Sequence, residues 1–196
     1  MKAWQHGAGL VAVGCIAMFS AALTAEPHHD HHAHAEHGEG HNMTLDREGM
    51  TMYPNADTLP RDCDDVAAEI DFEVRVGRSF AVTGRTFGYN QHEWRVPPCS
   101  RVTVTLINED SVRHQWMVHG LPRYLHPHGM FHLETSGGAR RQGTLIVPSD
   151  ARTYLVHCDI SHHMEQGLKA QLVVGDGEAD LPGIPGLTAP RFPDRY

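Results

Sequence analysis

The sequence predicts an all-β sandwich, and three observations predict it. Apolar residues recur with period two in short runs bounded by Gly, Pro, Asn and Asp, the pattern of half-buried antiparallel strands. A 3.6-residue period is missing except over residues 64–70, which suit one helical turn. The length, 196 residues, fits one ordinary domain with appendages, and no internal repeat signals a second copy.

The first alternation is Phe72, Val74 and Val76, and the second is Val102, Val104 and Leu106. Leu145 and Val147 form a third, followed by a run at 153–156 around Leu155 and a closing Leu172-Val173-Val174. Together they place the sandwich at residues 66–176.

Residues 1–25 carry Lys2, an apolar run from Leu10 to Phe19 and then small residues from Ser20 to Ala25, the layout of a secretory signal peptide cleaved after Ala22 or Ala25. The run is about ten residues, against the roughly 20 that span a bilayer, so no stable membrane insertion is expected after cleavage. Gly14-Cys15 hints at a lipoprotein signal, but modification there would leave the apolar residues 16–19 on the mature chain. Export implies an oxidising compartment, taken here as the periplasm. There Cys63 and Cys99 can form a disulfide while Cys158 stays free; the alternative is two unpaired buried thiols.

Residues 26–65 read as a flexible, His- and Met-rich segment. Within residues 28–41 stand His28, His29, His31, His32, His34, His37 and His41, three acids and no large apolar residue, too little to fold alone. Neutral imidazoles on such a segment chelate Cu(II), Ni(II) or Zn(II); the plainer reading is a solubilising tail. Met43, Met50 and Met52 carry thioethers suited to Cu(I), or are ordinary linker methionines. Residues 177–196, rich in Pro and Gly, are a tail either laid over the domain or left loose.

Composition directs attention to metals. Seventeen His, eight Met and four Cys supply borderline and soft ligands. The formal charge of −8, from 24 acidic and 16 basic residues with no Lys/Arg-rich run, excludes an electrostatic nucleic-acid footprint.

The chemistry concentrates in residues 157–168, HCDISHHMEQGL, between the strand at 153–156 and the strand that ends the domain. One short loop thus holds a thiol and an imidazole a few ångströms apart. A missing ligand must come from elsewhere, and His114, in the segment INEDSVRHQW after the second strand, is the best candidate, because strand ends converge at one pole of a sandwich. Two imidazoles and a thiolate define a trigonal copper electron-transfer site.

These residues resemble the cupredoxins. Asn108 followed six residues later by His114 is similar to their first-histidine signature, and Cys158 with His163 five residues on and Leu168 ten residues on resembles the type 1 copper loop of multicopper oxidases. The resemblance implies a Greek-key β-sandwich, a copper cofactor, and His114, Cys158 and His163 as equatorial ligands, with His162 the rival for the loop position. Leu168 cannot coordinate, so Met164 is the axial candidate or the axial position is empty. In the oxidase pattern two further cluster histidines would stand where this chain has Met117 and Asp159, which leaves His119 and His157. Too few remain for a trinuclear site, so the chain is not expected to be an enzyme that reduces oxygen by itself. The surviving pair could still form an auxiliary copper site with His126, His128, Met130 or His132, against the alternative of surface or hydrogen-bonded core histidines. His92 reads as structural.

The whole layout is similar to single-domain periplasmic copper-tolerance cupredoxins of the CopI type. That likeness implies protection from excess copper, a green type 1 centre, and copper held or cycled between Cu(II) and Cu(I). The other function considered is soluble electron transfer to a respiratory or denitrification partner, a cytochrome or a copper oxidase.

Overall fold

The computed structural model describes residues 43–189. The leader at 1–25, the histidine-rich stretch at 28–41 and residues 190–196 lie outside the described residues. Among the described residues no helix is long and apolar enough to cross a membrane.

Among the described residues, eleven strands form two sheets. In chain order they are β1 (Met43–Asp46), β2 (Gly49–Met52), β3 (Glu69–Gly77), β4 (Gly88–Tyr89), β5 (Glu93–Val96), β6 (Arg101–Asn108), β7 (His114–His119), β8 (Met130–Thr135), β9 (Arg140–Ile146), β10 (Arg152–His157) and β11 (Lys169–Val174). The large sheet runs β1-β2-β8-β7-β10-β11-β5 and the small one β4-β3-β6-β9. Pairing is antiparallel except between β3 and β6 and between β11 and β5. From β5 onward the chain passes repeatedly between the sheets, the crossing pattern of a Greek-key sandwich.

The period-two runs explain why the sheets pack. Val74, Val76, Val102, Val104, Leu106 and Leu145 point inward from the small sheet, and Trp116, Val118, Phe131, Leu133, Tyr154, Val156, Leu172 and Val174 meet them from the large one. Edge-on contacts from Trp94 to Trp116 (5.6 Å) and Trp116 to Phe131 (6.2 Å) fill the middle. Each such buried side chain contributes roughly 1.5–3 kcal/mol.

The structure corrects the expectations for residues 43–65 and 64–70, and it decides between the two given for the tail. Residues 43–65 are not part of a flexible segment: β1 and β2 form a hairpin, and β2 pairs with β8 inside the large sheet. The Asp46 carboxylate closes its turn by accepting from the Glu48 and Gly49 amides at 2.8 and 3.1 Å. Gly49 permits the close approach to β8, since a Cβ there would meet the Glu134 carbonyl oxygen at 1.9 Å. Residues 64–70 form no helical turn. Cys63 is joined to Cys99, the Ala67 amide donates to the Cys99 carbonyl and the Arg101 amide to the Ala68 carbonyl, which draws the segment out extended into β3. Finally, the described part of the tail is laid over β11. The Gln171 amide group donates to Asp180 (2.7 Å) and accepts from the Leu181 amide (2.9 Å), Lys169 donates to the Pro182 carbonyl, and Ile184 is fully buried.

Candidate metal centre

Three donors converge at one pole of the sandwich. His114 opens β7, Cys158 follows the last residue of β10, and His163 lies in the 158–168 loop before β11. Their ligand atoms all lie within 4.8 Å of one another, the one such group of three His, Cys, Asp or Glu donors among the described residues. His114 Nδ1 and His163 Nδ1 are 3.2 Å apart, and Cys158 Sγ is 3.6 Å from His163 Nδ1.

Local structure explains the convergence. The Asn108 side chain ends β6 by accepting from the Asp110 amide (2.9 Å) and donating to the carbonyls of Val112 (2.7 Å) and Thr135 (3.2 Å), which bends the chain toward β7. Asp110 Oδ2 then holds His114 Nε2 at 2.8 Å, leaving Nδ1 to face the thiol. The Cys158 amide donates to the Leu168 carbonyl and the Leu168 amide to the His163 carbonyl, so the loop closes on itself with His163 inward. Its flank is pinned where the Thr86 and Phe87 amides both donate to the Gln166 carbonyl, and Gly167 sits so near that a Cβ would approach the Phe87 carbonyl oxygen to 2.2 Å. The Phe87 ring contacts both imidazoles, at 4.8 Å from His114 and 4.7 Å from His163.

The electrostatics match a metal-ligating set. Burial pushes the Cys158 thiol up to about 11, only partly offset by the backbone amides of Ile160 and Gln115. Burial likewise lowers His114, against the pull of Asp110, and lowers His163 together with the neighbouring His114 ring. Both imidazoles are therefore neutral ligands near pH 7, and the thiol needs a bound cation to release its proton. Two nitrogens and one sulfur at this spacing fit a soft or borderline transition metal.

The other singled-out residues are placed as follows. His162 is exposed, has a left-handed φ of 64° and stands outside the converging group. Met164 shares with Cys158 the lining of a small surface cavity. Leu168 is fully buried in the core. His126 and His128 turn toward Tyr53: His126 Nδ1 is 3.0 Å from its carbonyl oxygen, and the His128 ring lies 5.7 Å from its ring. His92 packs edge-on against Tyr89 at 6.4 Å. The rings of His119 and His157 stack at 4.8 Å, and the β7–β8 register puts His119 opposite Met130 and Met117 opposite His132. Those histidines form no second group of three donors at the spacing of the first.

Sequence reasoning missed Asp110, Phe87 and Gln115. Gln115 ties the pole together, accepting from the Asp159 amide (2.8 Å) and donating to Glu134 (2.6 Å). Asp110 had a signal, a carboxylate four residues before a ligand histidine; Phe87 had none.

No family model matches the chain, and no curated protein matches it. Among solved structures it is similar to auracyanin B at 16% identity, over 63% of this chain and 98% of that one, with a TM-score of 0.44. Auracyanin A, described as a "blue" copper protein from the green thermophilic photosynthetic bacterium Chloroflexus aurantiacus, is 20% identical over 54% of this chain and 99% of that one, with a TM-score of 0.41. A multi-copper oxidase from Pseudomonas thermotolerans is 19% identical over 61% of this chain with a TM-score of 0.43, and the match spans 32% of the oxidase.

Proposed function

We propose that the chain is a periplasmic cupredoxin acting in copper tolerance, of the CopI type, with copper bound by His114, Cys158 and His163. The observation that carries this reading is the convergence of one buried thiol and two imidazoles within 4.8 Å at one pole. A thiolate with two neutral imidazoles suits copper in both oxidation states, whereas a structural zinc site asks for a fourth strong ligand. The position ten residues beyond Cys158 is instead the buried, non-coordinating Leu168. Met164, on the shared cavity, would offer a weak thioether to copper held there and so favour a green rather than a blue centre.

Bound copper supplies one-electron exchange; the protein's part is to keep the site dry and fixed. Phe87 and Leu168 exclude water, Asp110 orients His114, and the half-buried His163 offers the route to a redox partner. The stretch at 28–41 collects Cu(II) ahead of the folded site.

Titrating the full-length protein with Cu(II) should produce an intense thiolate-to-copper absorption, and Cys158→Ser should abolish it completely. A colour that survives that substitution overturns the ligand assignment. In cells, deletion of the gene should lower copper tolerance. Normal tolerance, coupled with electron transfer from the reduced protein to a cytochrome, would transfer the same site to the electron-carrier reading, which draws on the same exposed edge of His163.

A further inference from the structure

Cys158 and His157 are neighbours in the chain but project to opposite sides of the large sheet, Cys158 into the core and His157 onto the outer face. The register across β2, β8, β7 and β10 aligns Met52, His132, Met117 and His157 in one row, each directly opposite the next. Residues directly opposite share a face, so two thioethers and two imidazoles alternate along it. His119, two residues from Met117 on the same strand, shares this face.

The side chains close on one another. His119 Nε2 lies 2.8 Å from Met117 Sδ, and the His119 and His157 rings stack at 4.8 Å with 23° between planes. Met117, His132 and His157 are all buried, and Met117 lies outside the cluster of hydrophobic side chains packed between the sheets. His157 Nδ1 and His132 Nε2 are buried nitrogens without a hydrogen-bond partner, and His132 Nε2 is still 3.8 Å from Glu134. Burial keeps His132 neutral against the pull of Glu134 and Asp159, and the fields of His119 and His157 act on it in the same direction as burial. Buried nitrogens left without partners are costly and call for an explanation.

We propose that this outer face is a second metal site, for monovalent copper, with Met117, His119 and His157 as its ligands and Met52 and His132 next along the row. Thioether and neutral imidazole are ligands for a soft closed-shell cation, and a site without thiolate carries no charge that would favour Cu(II). The partly exposed His119 is its entrance. This site is separate from the thiol centre and does not depend on it.

The test uses the full-length protein labelled with 13C at the methionine methyl groups and titrated with Ag(I), a redox-inert stand-in for Cu(I). The Met117 methyl resonance, assigned by its loss in Met117→Leu, should move as Ag(I) binds, and it should still move in Cys158→Ser. A second variant, His119→Gln, should weaken Ag(I) binding at the Met117 methyl at least tenfold while the Cu(II) colour at Cys158 persists. A Met117 methyl that stays unmoved at saturating Ag(I), or that responds identically in His119→Gln, overturns the proposal. Because the colour reports Cys158 alone and the methyl reports the outer face alone, failure of one reading leaves the other standing.

Discussion

The two poles of the sandwich use the same element in opposite ways. At one end of β6, Cys99 is joined to Cys63, with a Cα–Cα distance of 5.7 Å and a sequence separation of 36. At the other end, Asn108 and Asp110 build the pole where Cys158 remains a free, buried thiol. Eight residues of strand, at about 3.3 Å each, hold the two poles roughly 25 Å apart. Disulfide exchange between them would need the sheets to come apart. Sulfur is therefore a covalent lock at the first pole and a potential ligand at the second, and the sandwich separates the two chemistries by distance alone.

Opening the lock gives the largest expected effect. In the chain-entropy account, a loop of this length is worth about 4 kcal/mol. The double variant Cys63→Ser/Cys99→Ser should lose about that much in urea unfolding while its Cu(II) absorption stays that of the parent. If the absorption collapsed in protein that remained folded, the poles would be coupled and the division of labour wrong.

The free thiol gives the next effect, and its sign follows from burial. The folded Cys158 keeps its proton up to about 11, while an unfolded cysteine releases it near 9. Between those values the folded chain binds more protons, so stability falls as pH rises, and below pH 9 the contribution is fully present. The metal-free protein should lose about 2–3 kcal/mol between pH 9 and 11 relative to Cys158→Ser, a difference that isolates this thiol from the buried tyrosines. Equal alkaline unfolding of the two proteins would show that the thiol is less desolvated than its 0% exposure indicates.

How much of this was legible differs between the poles as well. The candidate ligands are encoded locally: five residues separate Cys158 from His163 within one tight loop, and Asn108 precedes His114 by six because its side chain makes the bend between their strands. The strands facing the core were legible from period two. The β1–β2 hairpin was not, since the side chains of β1 are all exposed and β2 is completed only by β8, some eighty residues on. The same holds for Phe87, whose place beside both imidazoles comes from amide bonds to Gln166 rather than from any pattern around it. The methionine row on the outer face is invisible for that reason too: Met52 and Met117 meet His132 only through register.

The smallest effect distinguishes a structural from an electronic role for Asp110. Its carboxylate contacts His114 Nε2 and pulls that imidazole toward protonation, while burial pushes the other way and prevails. Because the folded pKa is depressed below that of an unfolded histidine, His114 contributes stability above pH 6.5 that is lost as pH falls below it. Asp110→Asn keeps an acceptor oxygen but removes the charge, so His114 should be harder still to protonate and the metal-free protein should lose more stability on acidification. With copper, the same substitution weakens the partner that orients the ligand and raises its basicity. A loss of about tenfold in Cu(II) affinity, roughly 1.4 kcal/mol, is expected. Position and charge separate in the outcome. If Asp110 only positions the ring, Asn should restore both affinity and acid stability, whereas a shift in both together, read by competition titration and by unfolding at pH 5, assigns the effect to the charge.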